Sequence, residues 1–365
     1  MTIKVYRHKD LFHKYSASEE SKGNFARLSN LAKHFDEIDN QEYPVPQFRT
    51  FGKPRTNVCY CTGVFRQKKY LIGAMVWAWR LKSLTESSLV LMVEQGLFSN
   101  TEIDELLSLF DQVVEVPLIG EHVDVTNTKH GHNTSKYPDL KYYFTKISAV
   151  NLTQYKKVLY LDALTLPNES LEELFNLPSP LGEYKPHSLG ANFSGHAYLI
   201  TPNEKFYRRL NFLTNYYNEI FDNRQKHYRG GPDEVLLISL FYETWNFYDN
   251  IISEDRFVMC PEGETTTPPF VYTYRLMKPW MTPGDRGFNP EKIVLWGKAY
   301  KEMRVSLPGC NSILSRIPET VLVDRTVDGK HPRRFNFSNR DFRTSAESNT
   351  VRVRMPVSNA QGGKS

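Results

Sequence analysis

Two charged residues sit where this chain could meet a phosphate. Asp162 follows Val158, Leu159, Tyr160 and Leu161, a short apolar run of the kind buried in a parallel sheet, so it stands where a strand should end. Ligands of open α/β sheets collect at the carboxyl ends of strands. The segment ahead of that strand supplies Lys146, within Phe144-Thr145-Lys146. A carboxylate and a lysine at such an edge make a candidate site for a phosphate-bearing ligand. Further on, Gly230-Gly231-Pro232-Asp233-Glu234 reads as a helix start, where carboxylates complement the helix dipole.

The elements that must position these residues alternate along the chain. Asn57 to Gly63 reads as a strand, followed through a basic loop containing Arg66 by a helix from about Lys69 to Ser83. Ser88–Val93 and Gln112–Ile119 are further strands, with a helix over Thr101–Phe110 between them. This spacing implies right-handed crossovers and a mostly parallel sheet with flanking helices. Phe144 to Phe175 then reads as helix, buried strand, acidic turn and helix. Residues 202–223 form an amphipathic aromatic helix suited to core packing.

Composition sets wide bounds. With 365 residues and 40% apolar content the chain can hold one large α/β domain with extensions, or two domains. The net charge of +5 is mild and partly concentrated near the C-terminus, which disfavours nucleic acid as a partner. No run of eighteen apolar residues occurs, and the polar start MTIKVYRHKD lacks the apolar core of a signal peptide. A soluble cytoplasmic protein with no membrane span is the simplest expectation. Four cysteines are too few and scattered for a disulfide framework; Cys59 and Cys61, two apart in a strand, point to one face, as core packing does. His130-Gly131-His132 has no acidic or cysteine partner at ligand spacing.

Between residues 57 and 280 the chain resembles the glycogenin-like glycosyltransferases of family 8. Thr145-Lys146, Leu152-Thr153-Gln154-Tyr155, Asp162-Ala163 and Thr165-Leu166 match the family's Thr-Lys, Leu-Thr-Gln-Tyr and Asp-Ala-Asp-Thr-Leu, except that the second acid is Leu164 here. Tyr70, Gly73, Ala74, Leu81 and Lys82 fall in register with Tyr-x-x-Gly-Ala and Leu-Lys. Ser194-Gly195 matches Asn-Ser-Gly, with Phe193 in the Asn place and Asn192 one position early. Residues 230–234 resemble Gly-Gly-Asp-Gln with one proline inserted, and 270–280 fit the closing Val-Val-His-Phe-x-Gly-x-x-Lys-Pro-Trp. There Lys278 falls on the pyrophosphate lysine and Tyr272 on the metal-binding histidine; a competing strand at Lys292–Trp296 would put Leu295 in that place.

The resemblance implies a single GT-A, Rossmann-like domain over 57–300, with an N-terminal extension over 1–56 and a C-terminal one over 301–365 whose basic tail from about 324 is flexible. It implies a retaining transfer of a hexose from a UDP-sugar to a protein or glycan acceptor, in a chain that could form a homodimer. Asp162, Asp233 and Lys146 become the catalytic set. Thr62, Tyr70, Lys146, Ala163, Asn192, Ser194, Gly195, Glu234 and Lys278 become nucleotide-sugar contacts, with Lys136 near a basic loop position. The family's manganese is held by two aspartates and a histidine; Asp162 alone survives, so Mn2+ or Mg2+ is weakly bound or absent. Losing a metal that stabilises the leaving diphosphate would cost on the order of a thousandfold in rate, unless Lys278, Lys146 or Arg66 replaces its charge. Two classes therefore remain: a transferase with altered metal dependence, or a catalytically inactive transferase fold kept as a binding module.

Overall fold

A computed structural model of the chain describes residues 5–7, 33–40, 44–121, 123, 140–187, 190–217, 232–241, 246–248, 271–274, 279, 290–307, 309–315, 321–324 and 333–336. Four parallel strands form its centre: β3 (Val58–Val64), β4 (Ser88–Glu94), β5 (Gln112–Val116) and β6 (Lys157–Leu161), in the order β6-β3-β4-β5. The chain runs outward from β3 through β4 to β5, then returns to the other side of β3 at β6. That reversal is a topological switch point, and crevices for ligands open there at the carboxyl ends of the strands.

Antiparallel strands widen the sheet. β8 (Leu181–His187) and β9 (Gly190–Ile200) continue it beyond β6, and β2 (Arg49–Gly52) closes the far edge against β5. β1 (Val5–Arg7) pairs with β10 (Asn246–Tyr248) at the opposite edge, giving nine strands among the described residues. The described parts of residues 1–56 are therefore built into both sheet edges.

Each central strand alternates between two cores, as a sheet covered on both faces requires. Tyr60, Leu89, Leu91, Leu159 and Leu161 face α2 (Leu71–Lys82), α3 (Asn100–Leu106), α6 (Pro290–Ser306) and α7 (Cys310–Ser315). Cys59, Cys61, Val90, Val114, Val158 and Tyr160 face the opposite core, with α1 (Phe35–Asp39), α4 (Glu204–Asn215), α5 (Pro232–Leu240) and the segment Leu140–Asn151. The two cysteines are free and fully buried, and burial raises both thiol pKa values.

Four local expectations are corrected. The segment before β6 is a 3-10 helix over Leu140–Asn151 rather than an α-helix; Thr145, Ile147 and Val150 are β-branched and weak α-formers. After Asp162 the chain enters β7 (Thr165–Pro167), paired antiparallel with β11 (Val271–Thr273), and then a 3-10 turn over Glu172–Asn176. Pro167 offers no N–H to a helix there. Lys292–Trp296 lies within α6, so the competing strand does not form. Part of the tail is paired: β12 (Val321–Asp324) and β13 (Arg333–Asn336) form an antiparallel ribbon.

The loop after β3 is tied to α3 by charge. Ser99 and Glu102 form a capping box, and Lys68 Nζ donates to both Glu102 carboxylate oxygens at 2.8 and 3.0 Å. Burial works to raise the Glu102 pKa, but the Lys68 and Ser99 hydrogen bonds outweigh it and hold the carboxyl below its ordinary value. A depressed carboxylate stabilises the fold above its unfolded pKa near 4.5 and loses that contribution as pH falls. Glu102→Gln should lower the melting temperature at pH 7, by an amount that shrinks below about pH 4.5. A difference independent of pH would contradict this.

Candidate active site

Asp162 is held at the end of β6 by its own turn. Its N–H donates to the His196 carbonyl at 2.8 Å, carrying the β6–β9 pairing one step past Leu161. Its carbonyl accepts the Thr165 N–H at 2.9 Å and the Thr165 hydroxyl at 2.7 Å. Oδ1 accepts the Leu164 N–H at 2.9 Å, an Asx-turn contact that fixes the carboxylate. Oδ2 lies 3.6 Å from His196 Nδ1, a charge-contact distance beyond hydrogen-bond range. Burial works to raise the Asp162 pKa; the His196 imidazole, the Lys146 ammonium and the Leu164 N–H outweigh it and hold it at about 2.

Lys146 comes from the 3-10 helix, which is pinned at two points. Thr145 Oγ1 accepts the Ile119 N–H at 3.0 Å, and the Tyr198 hydroxyl donates to the Lys146 carbonyl at 2.9 Å. Residues three apart eclipse in a 3-10 helix. Tyr143 therefore shares an edge with Lys146, whose ammonium lies 5.9 Å from the Tyr143 ring centroid. The first turn of α5 supplies Asp233, which forms a close ion pair with Lys146; the side chains are 6% and 7% exposed. Burial alone would lower the Lys146 pKa, but the carboxylates of Asp233, Asp162 and Glu234 raise it, so the lysine stays charged.

Gly195 in β9 is the backbone against which this pair packs. A Cβ there would collide with Asp233 Oδ2 and lie 3.0 Å from Lys146 Nζ and 3.2 Å from Glu234 Cγ. Its N–H donates to Glu234 Oε1 at 3.2 Å. The sequence candidates Asp162, Lys146, Asp233, Glu234 and Gly195 thus meet in one cluster, with Ala163 buried in the adjoining turn. Tyr70 caps the start of α2, partly buried beside Tyr143.

Other candidates lie elsewhere. Thr62 is fully buried in β3, and its hydroxyl has no partner among the described residues. Arg66, in the left-handed region at φ 62°, directs its guanidinium to Tyr142 and Glu94. Asn192 and Ser194 are in β9, but their side chains fall outside the described residues, as do Lys278, Lys136, His130 and His132.

Two residues of the cluster escape sequence reading. His196 follows the Ser-Gly pair where nothing marks it, and only the β6–β9 register brings it to Asp162. Tyr143 is 39% exposed as a residue, yet burial of its hydroxyl, then Tyr70, Asp162 and Asp233, raise its pKa.

The metal positions of the resembled family do not fit a cation here. Leu164 and Tyr272 are partly buried against the core, in segments joined by the β7–β11 pairing and by the Tyr274 N–H to Leu164 carbonyl bond at 2.7 Å. No three His, Cys, Asp or Glu side chains among the described residues are grouped to hold a metal. Of the expected ligand positions only Asp162 carries a carboxylate or imidazole.

Part of the chain is similar to known proteins. Residues 61–191 match the sequence profile of glycosyl transferase family 8. That stretch is similar to the glycogenin-like glycosyltransferases of family 8. Glycogenin of Neurospora crassa is 27% identical over 179 residues, covering 48% of this chain and 24% of that one. Glycogenin-2 of Saccharomyces cerevisiae is 31% identical over 133 residues, 33% of this chain and 35% of that one. The chain thus spans between a quarter and about a third of these relatives' length. Among solved structures, the glycosyltransferase GlyE of Streptococcus pneumoniae overlaps 71% of this chain and 64% of its own at 15% identity and TM-score 0.44. The galactosyltransferase LgtC, solved with donor and acceptor sugar analogs, overlaps 68% and 96% at 15% identity and TM-score 0.43.

The buried Lys146–Asp233 pair is sensitive to substitution. Lys146→Met should destabilise by about 3–5 kcal/mol in denaturant unfolding, because it strands the Asp233 charge in the interior. Lys146→Met with Asp233→Asn should recover most of that loss. A double variant as unstable as the sum of the two single variants would contradict the coupling.

Proposed function

We propose that the chain is a UDP-sugar-dependent glycosyltransferase that transfers a hexose to a protein or glycan acceptor with retention of configuration. The observation that carries this is the convergence of Asp162, Lys146, Asp233 and Gly195 at the carboxyl edge beside the β3–β6 switch point, in a chain whose residues 61–191 match the family 8 profile. The uridine would lie by Tyr70 and Tyr143 on the rim. Gly195 leaves room for a close approach of the sugar to backbone.

Lys146 keeps a buried positive charge beside the reacting centre, and a fixed charge in a desolvated site stabilises developing negative charge without reorganisation. Asp233, locked by that lysine, would face the sugar and stabilise positive charge as the glycosidic bond to the diphosphate breaks. The Leu164 and Tyr272 substitutions favour one other reading, a domain that retains donor binding without turnover.

Calorimetric titration with UDP and UDP-glucose, in the presence of Mn2+, tests the donor site, and release of UDP from UDP-glucose tests turnover. Wild type should bind, and Asp162→Ala should weaken binding at least about tenfold, roughly 1.4 kcal/mol. Binding with no UDP release over hours would select the non-catalytic reading. No binding at millimolar nucleotide would end both.

A further inference from the structure

Arg66 is the one non-glycine residue with a positive φ among the described residues, at 62°. The Gln67 N–H donates to the Phe65 carbonyl at 2.7 Å and closes a γ-turn around it. With a positive central φ this is the rare, strained form of that turn. Such backbone persists only where its surroundings over-determine it, and it clusters at functional sites.

Three contacts hold Arg66 in place. Its N–H donates to Glu94 Oε2 at 2.7 Å, and Nη1 lies 3.5 Å from Oε1 of the same carboxylate. The guanidinium carbon lies 4.4 Å from the centroid of the Tyr142 ring, and Nη2 donates to the Tyr142 hydroxyl at 2.8 Å. A planar fork can serve a carboxylate, a hydroxyl and an aromatic face together, and a lysine cannot. The Arg66 side chain is 40% exposed, and partly exposed ion pairs contribute little stability. Stability alone therefore gives small reason for an arginine in a strained turn.

The segments that these contacts join give a better one. Arg66 follows β3, Glu94 ends β4 and Tyr142 lies in the first turn of the 3-10 helix, so one guanidinium ties three segments at the carboxyl edge of the sheet. Both aromatic residues of the rim hang from this junction. Beyond the turn, the Tyr70 N–H donates to the Gln67 carbonyl at 3.1 Å and sets Tyr70 at the start of α2. Directly after Tyr142 comes Tyr143, whose side chain interacts with Tyr70, Asp162 and Asp233.

We propose that Arg66 is a positioning residue for the nucleotide base: by fastening the β3 loop to the 3-10 helix, it holds Tyr70 and Tyr143 as a preformed slot against which the base packs. Bases stack on aromatic side chains, and a slot ordered in advance spares the nucleotide the cost of ordering it. Arg66 does not act as a phosphate contact, because Glu94 and Tyr142 engage its guanidinium.

This inference rests on the donor-binding reading above, and the test separates the two. UDP binding to the full chain would be measured by calorimetry, with melting temperatures of the nucleotide-free variants as the control for folding. Glycine takes a φ of 62° without strain, so Arg66→Gly removes the side chain and leaves the turn its conformation. That variant should melt within about 3 °C of wild type and bind UDP about tenfold more weakly. Arg66→Lys, which keeps the charge and loses the fork, should be weakened to a similar degree. In a Tyr143→Ala background the slot is already open, so adding Arg66→Gly should weaken binding by less than about twofold. Tyr142→Phe, a milder change that removes one hydroxyl, should weaken UDP binding several-fold. Wild-type affinity in Arg66→Lys would show a charge role and overturn positioning. Wild-type affinity in Arg66→Gly or Tyr142→Phe, full additivity with Tyr143→Ala, or a loss of binding that tracks a loss of melting temperature would overturn it as well, with the donor site left standing. No UDP binding by wild type at millimolar nucleotide would overturn the donor reading itself, and this inference with it.

Discussion

The structure of the site depends on one buried ion pair. A charge taken out of water must be matched within the interior, and Lys146 and Asp233 do this for each other. The pair joins the 3-10 helix to α5, and β9 can pass against it only because residue 195 has no side chain. Three elements far apart in sequence are thereby held at a single point. That point lies beside the end of β6, so the constraint that satisfies a buried lysine also delivers a carboxylate and an ammonium to the strand end where ligands of such sheets bind.

The segment after β6 and β11 pack together against the apolar core. Leu164 and Tyr272, where the resembled family places metal ligands, both pack against the core that also holds β7 and α2. Both positions make apolar contact, and the β7–β11 pairing makes their backbones a structural unit. Asp162 did not follow them into the core. It is locked in an Asx turn, held strongly acidic, and turned toward His196. A residue kept only to close a turn would not need a second oxygen facing a buried imidazole.

Much of the fold was legible from periodicity. The apolar runs that became β3, β4 and β6 stand in the sequence within one residue of their ends, and β5 ends three residues short of its run, because strands buried on both faces read as continuous apolar segments. Lys146, Asp162 and Asp233 could be picked out by type and position, and the family motifs ordered them. What stayed hidden depended on pairing between distant segments. His196 reaches Asp162 only through antiparallel register between β6 and β9, which no local pattern encodes. The edge strands from residues 1–56 are short, and short polar strands carry little signal until a partner is known.

Hydrogen exchange of the full chain with and without UDP and Mn2+ is the most direct test that the strand-end cluster is a donor site. Bound nucleotide should slow exchange in the Asp162–Leu166 turn, in β9 around Gly195 and in the first turn of α5, while β12 and β13 stay unchanged. Unaltered exchange in all three segments, with protection elsewhere, would contradict the placement of the site.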